Sequence, residues 1–376
     1  MFTTKKIAIV SVINDLVTDS RVNKTCLTLI ESGYDVILIG RMVRGSLPIP
    51  DWPFKSSRMK LLFQKGPLFY FFFMTRLFFH LLVKKADLLY ANDLDTLLPN
   101  FLMARFKNIP LIYDSHELFC DVPELLETRF KRRLWQRLEG WIVPKLKQCI
   151  TVNDSIARIF YERYKVPFAV VKNIPARVEN FKPKSRVELG LPQHQKIILL
   201  QGAGINIDRG AEELLEAMAQ VNGAVLLIIG AGDCWPVLKQ KVKDLHLEEK
   251  VKLIDKMPKP ELMHYTFNAD LGISIDKNTN LNYYNSLPNK IFDYLQSAVP
   301  ILASRLPEIE SLVSRYEVGD FIENHRPEHI ASKIRELLSS PRLQIFKQNT
   351  LRARQELDWE RENYKLKEVI SKAVRA

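Results

Sequence analysis

Two short runs of this sequence carry residue types suited to an anionic, sugar-bearing ligand. The first, QGAGINIDRG (201–210), sets Gly202 and Gly204, which let backbone approach a ligand, beside the fixed positive charge of Arg209. It leads into a helix expected from Ala211, whose amino end favours an anion. That is the make-up of a phosphate seat, and an ordinary strand-to-helix turn fits it equally. The second, NSLPNKIFDYLQSAVPILAS (285–304), is more informative. Pro288 suits a first helical turn that Ser286 could cap. Asn289 and Lys290 then fall where helix N–H groups and an ammonium meet phosphate oxygens. Asp293 follows one turn on, placed to accept hydrogen bonds from two sugar hydroxyls. A capped surface helix with solvated charges fits the same residues.

His116, in DSHE, follows the expected strand PLIYD at its carboxyl end, where a catalytic or sugar-contacting side chain belongs; beside Asp114 and Glu117 it could also be a structural hydrogen-bond partner. Asn14, Asp15 and Arg21 follow the first expected strand and could touch an acceptor or a donor sugar, while Asp15 or Asp19 could simply close a helix start. Asp93, after DLLYAN, has the same two readings. No Ser–His–Asp or Cys–His spacing competes. Cys26, Cys120, Cys149 and Cys234 stand apart without a CxxC pair, which speaks against a metal site or a disulfide framework and for a reducing cytoplasm.

Positioning such residues requires alternating strands and helices. KIAIVSVI, YDVILIG, DLLYA, PLIYD and QCITV read as strands of a first half, with helices at 20–32 and 94–106 and Gly33 at a helix end. KIILLQG, AVLLIIG, VKLID, LGISI and VPILAS follow in a second half, with AEELLEAMAQV as a helix. With 376 residues, 47% hydrophobic, the chain has the length for two α/β domains. The expectation is two Rossmann-like β/α/β domains facing a cleft, residues 1–173 and 174–350, with a helical segment 351–376 returning to the first. The start, MFTTKKIAIVSVIN, reads as a buried strand without a signal-peptide cleavage pattern.

A formal net charge of +12 attracts anionic partners. Nucleic acid is disfavoured, because no RRM, KH or helix-turn-helix signature appears and the basic residues are spread rather than striped. The aromatic segment Gly66–Asp87 lies between Lys60, Lys65, Lys84 and Lys85 and is interrupted by Arg76 and His80. It reads either as a core helix or as one lying on an anionic membrane surface, and Arg129–Trp141 is a second basic, Trp-bearing stretch.

PNKIFDYLQSAVPILASRLPEIESLV resembles the signature of retaining family-four glycosyltransferases, PNKxFEYxxxGxPVIAS followed by PEI. NDLVTDSRVNKTCLTLIESGYDVILIG, ADLLYANDLD, PLIYDSHELF, RGAEELLEAM and DWERENYKL extend the resemblance in order over nearly the whole chain. It implies a GT-B fold, a nucleotide diphosphate-sugar donor in the C-terminal domain, and acceptor contacts in the N-terminal domain. It also implies retention of anomeric configuration with no bound metal or cofactor. By the same resemblance Asp293 binds the nucleotide ribose, Arg209 the diphosphate, and His116 lies near the reacting sugar. Asn285 stands where the family has the first glutamate of its Glu, seven residues, Glu motif, so backbone amides of Ser286 to Asn289 could replace it. Ala203 stands where many members have a second diphosphate arginine, a charge Lys290 could supply. The implied acceptor is a cell-surface polysaccharide or lipid-linked glycan intermediate, met in the cytoplasm or at the inner face of the plasma membrane. A nucleotide-sugar epimerase of GT-B fold, or a non-catalytic sugar- or nucleic-acid-binding protein, is the alternative.

Overall fold

The β-branched runs of both halves become parallel strands buried on both faces, as a sheet covered by helices on each side requires. The computed structural model describes residues 5–17, 19–177 and 180–375. They form two units, Met1–Asn173 with Glu360–Ala376, and Ile174–Trp359.

In the first unit the strands are β1 (Lys6–Ser11), β2 (Tyr34–Arg41), β3 (Lys55–Met59), β4 (Leu88–Asn92), β5 (Leu111–Ser115), β6 (Gln148–Thr151) and β7 (Ala169–Val170). The helices are α1 (Ser20–Glu31), α2 (Gly66–Val83), α3 (Leu94–Lys107), α4 (Pro123–Leu126), α5 (Arg129–Ile142) and α6 (Asp154–Tyr164). The sheet order is β3-β2-β1-β4-β5-β6-β7, with Ile9 registered against both Ile37 and Leu89. The direction of winding therefore reverses between β1 and β4, which opens a ligand crevice beyond their carboxyl ends. Asp19, not Asp15, caps α1 by accepting from the Val22 N–H at 3.1 Å, and Gly33 follows its end with φ +90°.

The second unit has strands β8 (Lys196–Gly202), β9 (Ala224–Gly230), β10 (Val251–Asp255), β11 (Leu271–Ser274), β12 (Ile301–Ser304) and β13 (Gly319–Ile322). Its helices are α7 (Ala211–Met218), α8 (Trp235–Asp244), α9 (Lys259–Thr266), α10 (Leu281–Tyr284), α11 (Asn289–Gln296), α12 (Pro307–Tyr316), α13 (Pro327–Ser339) and α14 (Arg342–Glu356). The order β10-β9-β8-β11-β12-β13 reverses between β8 and β11. Ile198, Leu226, Leu271 and Leu302 pack on one face of this sheet, and Ile197, Leu199, Val225 and Ile301 on the other.

The last helix, α15 (Trp359–Arg375), belongs to the first unit: Thr28 Oγ1 donates to Asn363 Oδ1 at 2.6 Å, and Glu362 accepts from the Lys172 N–H at 2.7 Å. The chain changes unit at Trp359 rather than near residue 350, because Phe346 and Ala353 of α14 stay in the second unit's core.

Candidate active site

In the first unit the residues singled out in the sequence gather beyond β1, β4 and β5. Asp93, at the start of α3, has φ 60° and ψ 168°, an unusual backbone for a residue with a Cβ. The conformation turns its carboxylate onto His116: Oδ1 accepts from the His116 backbone N–H at 2.8 Å, and Oδ2 lies 3.2 Å from Nδ1. On the other side, Nε2 stands 3.6 Å from Asp114 Oδ2, an ion-pair distance too long for a hydrogen bond, and makes no hydrogen bond among the described residues. Burial alone would lower the imidazole's pKa, but the two carboxylates outweigh it and hold the value well above the ordinary histidine range. The site therefore favours the protonated form of His116.

Arg21 lies inside this cluster instead of reaching outward to an acceptor. Its guanidinium is 3% exposed, donates from Nε and Nη2 to Asp114 at 3.0 and 2.8 Å, and gives Nη1 to the Val171 carbonyl at 2.7 Å. Tyr90 adds a hydroxyl donor to Asp114 at 2.8 Å. Burial would raise the Asp114 pKa, but Arg21 and His116 hold it well below the carboxylate range. Asp15 is buried too, bonded to Ser46 and to Arg58 at 3.2 Å, whereas Asn14 is exposed.

In the second unit, the loop after β8 and the residues after β11 meet. Arg209 Nη1 donates to Asp276 Oδ1 at 2.9 Å, and Lys290 Nζ lies 3.6 Å from Oδ2 of the same carboxylate. Asp276 is fully buried. Burial would raise its pKa, and Lys290 and Arg209 hold it low. Burial lowers that of Lys290, opposed by Asp276 and aided by repulsion from Arg209. Two cations thus share one anion. The Arg209 guanidinium also stacks on the Tyr283 ring at 3.8 Å, and its buried Nε has no hydrogen-bond partner among the described residues.

Gly202 closes β8, and Gly204 is exposed in the following loop. Gly210, at φ +76°, turns the chain into α7, and a Cβ there would stand 2.4 Å from the Ile275 carbonyl oxygen. The amino end of α7 already has Glu212 and Glu213 in its first turn. That of α11 has no acidic residue in its first turn and no side-chain cap. Ser286 does not cap it, since its hydroxyl donates to the Tyr283 carbonyl at 2.9 Å, and Pro288 stands at the N-cap rather than inside the first turn. Asn289 and Lys290 do occupy the first turn. Asn285 is buried and gives its amide to the Leu281 carbonyl at 2.8 Å. Asp293 accepts from Lys259 Nζ at 2.8 Å and from Gln201 Nε2 at 3.2 Å.

Sequence reasoning missed Asp276 and Lys259. Asp276 was within reach, since it follows the strand LGISI beside the winding reversal. Nothing local distinguishes Lys259 from a solvated lysine.

The family described as Glycosyl transferases group 1 matches residues 181–353, and that described as Glycosyltransferase Family 4 matches residues 21–176. Curated protein sequences give no match. Among solved structures the chain is similar to sucrose-phosphate synthase from Thermosynechococcus elongatus, at 17% identity and TM-score 0.80, over 98% of this chain and 99% of that one. It is similar to HepE from Anabaena in complex with UDP and glucose, at 16% identity and TM-score 0.74, over 98% and 100%. WaaG, a glycosyltransferase involved in lipopolysaccharide biosynthesis, matches at 14% identity and TM-score 0.72, over 97% and 99%. At these identities the likeness to solved structures is one of fold.

Proposed function

The chain belongs to the GT-B glycosyltransferases, and on that premise we propose that it moves a sugar from a nucleotide diphosphate donor to a hydroxyl of a polysaccharide or lipid-linked glycan intermediate, retaining the anomeric configuration. One observation carries the donor assignment: Arg209 and Lys290 share the single buried carboxylate of Asp276 beside the uncapped amino end of α11. The surplus positive charge and the helix dipole suit a diphosphate, and they act most strongly on the charge that develops as it departs. Asp293 takes the ribose hydroxyls, for which Lys259 must give way.

In the transfer step the bond from the anomeric carbon to the diphosphate oxygen breaks. The acceptor hydroxyl attacks from the face of departure, and its proton passes to the leaving diphosphate. Arg209, Lys290 and the amides of Asn289 and Lys290 offset the departing charge, so the reading includes no metal and no cofactor, and EDTA leaves transfer unchanged. His116, whose protonated form Asp93 and Asp114 favour, serves as a hydrogen-bond donor to the reacting sugar and not as a base. On this reading the reaction takes place in the cytoplasm or at the inner face of the plasma membrane, a reducing setting that the four free, buried cysteines suit.

Incubation with UDP-, GDP- and ADP-sugars, reading both free nucleotide diphosphate and sugar configuration, tests the proposal. UDP-glucose comes first, because HepE was solved with UDP and glucose. Slow release of nucleoside diphosphate with one donor supports transfer. A product epimerised at a sugar carbon would instead favour an epimerase, and no turnover with any donor or acceptor would leave a binding protein.

A further inference from the structure

Helix α2 has two dissimilar faces. Phe69, Phe73, Leu77 and Leu81 form a buried row that joins Ile9, Ile39 and Leu89 in the first unit's core. The opposite row is Leu68, Phe71, Thr75, Phe79 and Leu82, with Phe71 63% and Phe79 57% exposed. The outward face of a helix on a globular protein normally carries charge, yet this row has one hydroxyl as its only polar group.

The neighbouring helices continue the pattern. Lys107 Nζ ties α3 to the end of α2 by donating to the Leu81 and Lys84 carbonyls at 2.6 and 2.5 Å. Trp141 of α5 packs edge-on against Phe101 of α3, and Trp135 of α5 against Tyr70 of α2. The three helices therefore form one layer. Outward from it stand Phe106 of α3 and Phe130, Leu134 and Trp141 of α5. Every side chain of these helices that is both charged and exposed is a cation: Arg76, Arg105, Arg129, Lys131, Arg133 and Arg137. Their two carboxylates, Asp95 and Glu139, are buried.

We propose that this three-helix face docks on an anionic phospholipid bilayer, its aromatic side chains entering the interface and its arginines and Lys131 meeting lipid phosphates. Charge selects this occupant: a second copy of the chain would bring the same cations against one another, because a two-fold interface pairs like surfaces. Although α2 has the length and hydropathy to cross a bilayer, its buried row belongs to the protein core, so the helix lies on the membrane and does not pass through it. The inference is independent of the donor reading.

The test is co-sedimentation of the full chain with vesicles of phosphatidylglycerol and phosphatidylcholine, against phosphatidylcholine alone, with light scattering to follow self-association. Binding to the anionic vesicles that weakens with salt is expected. Arg133→Glu with Arg137→Glu should weaken it at least about thirtyfold, from two cations worth about 1 kcal/mol each. Phe79→Ser with Phe130→Ser should weaken it too, and an unchanged thermal transition shows that the variants fold. Absence of binding at low salt, or binding that ignores the Arg133/Arg137 reversal, overturns the proposal. So does a dimer that the same substitutions dissociate, with no vesicle bound.

Discussion

Arg209 donates to Asp276 at 2.9 Å across the point where the second sheet reverses its winding, one residue following β8 and the other β11. With Lys290 on the second oxygen, Asp276 holds two cations whose combined charge it cannot cancel. An enclosed carboxylate of this kind is a positioning group. It keeps both cations in place before any anion arrives.

Asp276→Asn should therefore destabilise the unliganded protein by about 3–5 kcal/mol, since two partly buried cations lose the anion they share. Bound donor would supply replacement negative charge, so the increase in thermal midpoint on adding a nucleotide diphosphate-sugar should be larger in the variant than in the native chain. Thermal unfolding with and without donor measures both. A variant as stable as the native protein would show that Asp276 does not hold the pair.

Lys259 occupies an oxygen of Asp293 that a ribose hydroxyl would need. This ion pair is partly exposed and worth about 0–1 kcal/mol, so Lys259→Ala should tighten nucleotide binding by up to about fivefold. Calorimetric titration with the nucleoside diphosphate decides the point. Weaker binding would mean that Lys259 itself contacts the ligand.

The pH dependence of stability should carry a signature of His116. A group whose pKa is raised by folding contributes stability that is fully present below its unfolded value, about 6.5, and is lost as pH rises through the folded value. Urea unfolding of the native chain should therefore show a decline on the alkaline side of neutrality that is absent in His116→Gln. Parallel curves would place His116 outside the clamp of Asp93 and Asp114.

Gly210 is required by its left-handed φ and by the Ile275 carbonyl 2.4 Å from where a Cβ would sit. Gly210→Ala should cost about 1–3 kcal/mol and displace Arg209, weakening donor binding more than an ordinary surface substitution. Urea unfolding and donor titration of the same sample separate the two effects.

Most strands were legible because β-branched runs such as AVLLIIG are apolar on both faces, as buried parallel strands must be. The edge strand β3 was not, since KSSRM is polar except for Met59 and carries neither period. At the candidate site, Arg209, Asn289, Lys290 and Asp293 could be singled out because the motifs set them just before or within the first turns of expected helices. The pairings were not: Arg209–Asp276 and Asp93–His116 join residues 67 and 23 positions apart, and only the sheet order brings them together. Local capping rules also failed at Ser286, whose hydroxyl turns back to the Tyr283 carbonyl.

The most direct measurement is calorimetric titration of UDP-, GDP- and ADP-sugars into the native chain and into Arg209→Ala. One donor should bind the native protein, and loss of the Arg209 charge should weaken it by about tenfold or more, the value of one charge-assisted hydrogen bond. Equal affinity in the two proteins would contradict the assignment of Arg209 and Lys290 to the donor diphosphate.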